Sequence, residues 1–144
     1  RVSSDEIFND DISDYASQLA LEQYVRDYAI EVQRNYAEAT NPIVIDGRDI
    51  GTVVFPNASF KFFFDAKIEV RAQIRFNQLQ KQGKNVTFRR VLENIALRDT
   101  RDRNRLIAPL VKTCGHVSID TTLSSVDELL EKILIKIKYD KDNN

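Results

Sequence analysis

Ile43-Val44-Ile45-Asp46-Gly47-Arg48-Asp49-Ile50-Gly51-Thr52 sets three apolar residues in a row and follows them with charge and two glycines. A short continuous apolar run predicts a strand buried on both faces, and Asp46-Gly47 predicts its exit. Arg48 and Asp49 then stand at the carboxyl end of that strand, the edge where ligands bind in open α/β sheets. Arg48 offers a planar donor fork suited to phosphate or carboxylate, and Asp49 can accept from an amino group or a hydroxyl. The same residues also suit an ordinary strand-to-loop turn with a surface ion pair.

Two further apolar runs, Phe60 to Phe64 and Val117 to Ile119, predict two more strands. Upstream, residues 1–12 read as an irregular or short extended entry. From Ser13, Ala16, Leu19, Ala20, Tyr24, Tyr28, Val32 and Tyr36 recur at three- and four-residue steps, predicting one amphipathic helix that ends near Thr40, before Pro42. Downstream, helices are predicted over Ile68 to Gln82, with Gly83 as the stop, and from Phe88 to about Arg105. A last helix begins at Ser124 or Ser125, where Ser125 and Glu128 form a capping box and Val126, Leu129, Leu130, Ile133, Leu134 and Ile137 supply a buried stripe. The tail from Lys138 to Asn144 is expected to fray. Strands separated by helices predict an α/β architecture with a small parallel sheet, because parallel strands need long crossovers.

The 144 residues fit one domain, and 42% hydrophobic with 30% charged residues excludes collagen-like, mucin-like and broadly disordered classes. Lysine and arginine total 21 against 22 acidic residues, which argues against a nucleic-acid or membrane surface driven by bulk positive potential. One cysteine, Cys114, excludes an internal disulfide framework, and no apolar run nears the roughly 20 residues of a membrane span. A reducing cytoplasm is the expected setting. Methionine is absent and the chain opens at Arg1, so a processed or partial polypeptide is expected, its sheet completed by sequence N-terminal to it.

The densest feature is Arg98-Asp99-Thr100-Arg101-Asp102-Arg103-Asn104-Arg105. Helical spacing puts Arg98, Arg101, Asp102 and Arg105 along one side. Guanidiniums gathered on one face repel unless an anion lies among them, and a phosphoryl group is the obvious guest. A solvated face laced with weak Arg–Asp pairs, or a local RNA-binding face, would use the same residues. Arg71 and Arg75 lie four apart on the helix after the second strand and read by themselves as solvated. Cys114 and His116 lack the four-ligand set zinc requires, so no metal site made of protein ligands alone is proposed. A phosphate-binding loop of the form GxxxxGK[ST] is absent, as are a Ser-His-Asp set and a nucleophile elbow.

Ile45 to Pro56, Lys61 to Ala66, and Arg98 to Leu110 with its Arg-Asp-Arg-Asn-Arg and Ala-Pro-Leu, resemble the bacterial cytidylate kinases. The order continues through Ile119-Asp120-Thr121-Thr122 into the last helix, so the similarity runs from about Ser13 to near the end. The resemblance implies a nucleoside monophosphate kinase fold of the P-loop type, a parallel sheet flanked by helices and incomplete at the N-terminus. In that division residues 1–42 are the remainder of the monophosphate-binding region with its long helix. Residues 43–66 and 106–144 are the core sheet and helices, and 67–105 are the lid.

It further implies transfer of the γ-phosphoryl of ATP to CMP or dCMP with Mg2+, by an enzyme monomeric when complete. Matched by position, Arg48 and Asp49 fall on residues that read the cytosine, and Ser17 and Arg26 on the cytosine and monophosphate side. Arg98 and Arg105 fall on the phosphate clamp, Asp102 on the group holding the sugar hydroxyls, and Arg75 on the lid arginines facing the transferred phosphoryl. The family's phosphate-binding loop has no counterpart here, so this chain alone is expected to be inactive or nearly so. A fragment that binds CMP or another anion without turnover, and a kinase for another nucleoside monophosphate, are the competing expectations.

Overall fold

The helices end where the sequence supplies the chemistry for ending them, as a computed structural model of the protein shows; it describes residues 10–40 and 42–142. Helix α1 spans Asp10–Leu19 and α2 spans Gln23–Ala39. Strand β1 (Phe62–Asp65) precedes α3 (Ile68–Lys81) and α4 (Phe88–Asn104), and β2 (Val117–Asp120) precedes α5 (Val126–Asp142). The chain divides into two compact units, Arg1–Asn57 with Ala96–Val111, and Ala58–Ile95 with Lys112–Asn144. Among the described residues no helix is long and apolar enough to cross a membrane.

In the second unit, β1 and β2 pair in parallel with Phe62 opposite Val117 and Asp65 opposite Asp120. The ladder is extended at its start by Val117 N–H donating to Lys61 O, and at its end by Thr121 N–H donating to Asp65 O. Ala72 and Leu79 on α3 and Val91 on α4 form a buried cluster, with Phe76 and Phe88 packed edge to face at 6.1 Å beside it. His116 is a structural residue: its Nδ1 lies 2.8 Å from Thr113 Oγ1 and its ring meets Phe63 edge to face.

Helix α3 stops at Gly83 by a left-handed turn with φ +73°, where Gly83 N–H donates to Gln80 O and Lys84 N–H to Leu79 O. These two bonds close the last turn as a Schellman motif. A β-carbon at Gly83 would meet nothing within 4 Å, so Gly83→Ala carries only the backbone cost of φ > 0. The substitution is expected to lower stability by about 1 kcal/mol, read by urea denaturation. Unchanged stability would mean that α3 frays and the turn is not fixed.

At α5 the capping box forms as the sequence predicts: Glu128 N–H donates to Ser125 Oγ at 3.3 Å, and Ser125 N–H to Glu128 Oε2 at 2.7 Å. The hydrogen bond from the Ser125 backbone holds the Glu128 carboxyl below its usual value of 4.5. A depressed folded pKa contributes stability that is present above the unfolded value and lost as pH falls through the folded one. An acid titration followed by NMR is therefore expected to move the Ser125 amide below pH 4.5, in step with α5 losing its first turn. An amide that ignores acid would exclude the reciprocal bond.

Several expectations change. Ile43–Ile45 is not a strand: residues 43–47 have no regular structure, and Val44 is fully exposed. A strand exists only through its ladder, and among the described residues the sheet is made of β1 and β2. The single helix from Ser13 begins instead at Asp10 and breaks after Leu19, where Leu21 N–H donates to Gln18 O and Glu22 N–H to Leu19 O, tightening the turn before α2 restarts. Tyr24, Tyr28, Val32 and Tyr36 face outward, and the inward face of α2 carries Arg26, Ile30, Gln33 and Ala37. The last helix does not fray at Lys138 but continues to Asp142, and within its expected stripe Val126, Leu130 and Leu134 are exposed while Leu129, Ile133 and Ile137 are half-buried. Residues 1–9 of the expected irregular entry lie outside the described residues, and Asp10 to Ile12 belong to α1.

Candidate functional site

Charged side chains that belong in water are buried together in the first unit. Asp102 is 2% exposed, and Ser17, Arg26, Asp49 and Arg105 are buried with it. Burying an ion is costly unless it is paired, so each must be accounted for by its neighbours.

Two carboxylates organise the group. Asp49 accepts from Arg26 Nη2 and, at 3.5 Å, from Arg105 Nη2. Asp102 accepts from Ser17 Oγ at 3.3 Å, and its second oxygen lies 3.2 Å from Arg48 Nε and 3.9 Å from Arg98 Nε. That second oxygen is buried, and neither arginine is aligned to make a hydrogen bond to it.

Local structure explains how each residue arrives. Asp49 immediately precedes a π-helical turn, Ile50–Val54, and its carbonyl takes the N–H groups of Thr52, Val53 and Val54. With its backbone committed, the residue turns its side chain toward α2. Arg34, roughly two turns along α2 from Arg26, donates from Nε to Val54 O and from Nη2 to Val53 O, pinning the π-turn to the helix that carries Arg26. Nothing in the spacing of α2 announces Arg34, because its partners are backbone carbonyls 19 and 20 residues away.

Helix α4 brings Arg98, Arg101 and Asp102, and the Arg105 N–H continues its ladder to Arg101 O one residue past the helix. Arg101 points elsewhere, pairing at 2.6 Å with Asp14 of α1. This hydrogen bond, with another from Gln18, holds the Asp14 carboxyl below its ordinary value. Past the helix, Arg105 Nε donates to Ala108 O at 2.6 Å, and Leu110 N–H donates to Asp102 O at 2.7 Å.

Desolvation by burial lowers the Arg105 pKa from its usual value, Asp49 opposes that shift, and the positive charge of Arg26 adds to it. The guanidinium stays protonated at neutral pH, so an anion seated beside it would offset a positive charge that burial disfavours. Asp49 and Asp102 lie among four guanidiniums, those of Arg26, Arg48, Arg98 and Arg105. A phosphate monoester dianion accepts from several such planar donor forks at once.

Of the residues marked in the sequence, Arg26 and Arg105 gather on Asp49, and Ser17, Arg48 and Arg98 on Asp102, the two sets meeting where the charges of Asp102 and Arg48 act on Arg105. Arg75 belongs to the second unit, on α3, where its Nη1 is 3.4 Å from Gln78 Oε1. Arg71, its neighbour on that helix, donates from Nε to Ala66 O. Among the described residues no group of three His, Cys, Asp or Glu is gathered to hold a metal ion.

The model of the family described as cytidylate kinase matches residues 1–139. The cytidylate kinase of Dichelobacter nodosus is 50% identical over 118 residues, covering 82% of this chain and 52% of that protein. That of Serratia proteamaculans is 46% identical over 131 residues, covering 91% and 57%, and that of Thermosipho melanesiensis is 44% identical over 138 residues, covering 96% and 63%. The chain thus spans between about half and two thirds of the length of these relatives.

Proposed function

This chain belongs to the cytidylate kinase family, and from that premise we propose that it is the acceptor-binding part of a kinase that transfers the γ-phosphoryl group of ATP to CMP or dCMP, giving CDP or dCDP, and that these 144 residues by themselves, which hold no GxxxxGK[ST] loop, are inactive or nearly so. The fold class is accordingly the α/β nucleoside monophosphate kinase fold of the P-loop type. The observation that carries the proposal is the cluster in which the buried carboxylates of Asp49 and Asp102 gather the buried Arg26 and Arg105 and the more exposed Arg48 and Arg98.

On this reading the cluster holds the acceptor. Arg98 and Arg105 take the phosphate of CMP, Asp102 the sugar hydroxyls, and Ser17 and Arg26 complete the cytosine and monophosphate side. Asp49 accepts from the exocyclic amine of cytosine while Arg48 donates to its ring acceptors. Uracil would turn a carbonyl oxygen toward the Asp49 carboxylate, setting two acceptors face to face, and a site that leaves buried polar groups unpaired rejects the wrong base strongly. A phosphate oxygen of CMP then attacks the γ-phosphorus, the bond to the β-phosphate oxygen breaks, and ADP leaves. Catalysis of such a transfer consists chiefly of holding the oxygens in line and offsetting their charge.

Residues 67–105 act as the lid in this proposal, with Arg75 as its phosphoryl-facing arginine, and closure keeps water from taking the phosphoryl group. Mg2+ enters as the partner of the nucleotide phosphates, where it offsets charge, and no residue described here is assigned to it.

Calorimetric titration of the chain with CMP, dCMP, UMP and AMP tests the acceptor side, and a coupled assay for CDP formed from ATP, run beside an intact-mass measurement, tests transfer. Preference for the cytidine nucleotides is expected. Equal or tighter UMP or AMP binding would remove Asp49 from its role. CMP binding without turnover would make the chain an acceptor-binding module.

A further inference from the structure

Among the described residues, Ala108 is the one non-glycine residue with positive φ, at +48°. Two features of its own sequence oppose that conformation. Its β-carbon crowds the backbone in the left-handed region, and Pro109 pushes the residue before it toward extended backbone. A residue held against both preferences needs surrounding contacts that over-determine it. Two are present, and both reach buried members of the site: Ala108 O accepts from Arg105 Nε, and Leu110 N–H donates to Asp102 O.

We propose that Ala108 is a positioning residue, whose left-handed turn directs its carbonyl onto Arg105 Nε and so fixes the guanidinium that clamps the acceptor phosphate. The phosphate role rests on the kinase reading above, whereas the positioning of Arg105 stands on the geometry alone. A guanidinium is a rigid planar fork. With Nε tied to Ala108 and Nη2 to Asp49, the plane and the direction of every other donor are set before any anion arrives. Such preorganisation removes the cost of ordering a long side chain on binding.

Substitutions at position 108 separate backbone geometry from side-chain contact. Glycine and asparagine tolerate φ > 0, and a β-branched valine does not. NMR of arginine Nε–H groups reads the device without any ligand. Arg34 and Arg71 also hold their Nε–H groups on carbonyls, so the Arg105 signal is identified by its loss in Arg105→Lys, and its slow exchange should persist in Ala108→Gly and Ala108→Asn. In Ala108→Val it should exchange about tenfold faster or more, as a hydrogen bond opened by that factor would.

Calorimetry reads the consequence. CMP affinity should fall roughly tenfold in Ala108→Val and stay near wild type in Ala108→Gly, while cytidine, which has no phosphate, changes less than about twofold. Circular dichroism checks that the valine variant keeps its helices, and Ala108→Leu carries the same test should valine unfold the chain. An Nε–H that stays protected in the folded valine or leucine variant overturns the proposal, as does equal loss of CMP and cytidine affinity. Failure of the wild-type chain to bind CMP strikes the kinase reading, and the exchange measurement still decides the positioning.

Discussion

Asp49→Ala is expected to lower the unfolding free energy by about 3–5 kcal/mol, the range for removing one partner of a buried ion pair. Asp49 is the shared acceptor of Arg26 and Arg105, and both guanidiniums are more than nine-tenths buried. Deleting the carboxylate leaves two like charges facing each other with no anion between them. A domain of this size has about 5–15 kcal/mol in total, so the variant would lie near the edge of folding. Urea denaturation followed by helix ellipticity measures it, and a loss under about 1 kcal/mol would mean that water reaches the arginines and the pairing is weak. Added phosphate should recover part of the loss in the variant, because an anion bound only by the folded state stabilises it by mass action.

Arg105→Lys is expected to weaken CMP binding by roughly 10- to 100-fold, as loss of one or two charge-assisted hydrogen bonds predicts. Charge is kept and geometry is not. The arginine donates through Nε to Ala108 O and through Nη2 to Asp49 Oδ1, and a single ammonium on a flexible stem cannot span both while also facing a phosphate. Calorimetry with CMP and cytidine measures the effect, which should fall chiefly on CMP. Unchanged CMP affinity would end the assignment of Arg105 as a phosphate ligand.

The parts of the fold legible in the sequence are those fixed by contacts a few residues apart. Gly83 ends α3, Ser125 and Glu128 open α5, and helix α4 runs over the span its pattern predicts, because caps and helical ladders join neighbours in the chain. The failures share the opposite cause. Ile43–Ile45 has the composition of a strand, but a strand depends on partners far away in sequence. The tyrosines of α2 have helical spacing, yet the inward face is chosen by Arg26 reaching Asp49, 23 residues on. Periodicity reports that a helix has two faces, and a buried ion pair selected the polar one.

The candidate site was legible for a related reason. Arg98, Asp102 and Arg105 declare themselves as a dense local cluster, and Arg48-Asp49 follows a marked apolar run. Resemblance added Ser17 and Arg26, which no spacing distinguishes. Arg34 is marked by nothing in the sequence and Ala108 only by its place in the Ala-Pro-Leu run, because both work through backbone carbonyls, and a carbonyl has no residue type.

The parallel pair of β1 and β2 bears on the order in which the protein assembles. Phe62 and Val117 are 55 residues apart, and closing a chain of that length costs roughly 3.5 kcal/mol of entropy by the logarithmic rule, before one ladder bond forms. The contacts of α3 with α4, Ala72 and Leu79 against Val91, span far shorter loops. The helical hairpin is therefore expected to form first and shorten the remaining gap, with the strands zipping late, once their ends have been brought together. Substitutions at Leu79 should slow folding, whereas those at Ile119 should mainly speed unfolding, and the two limbs of a chevron plot would separate them.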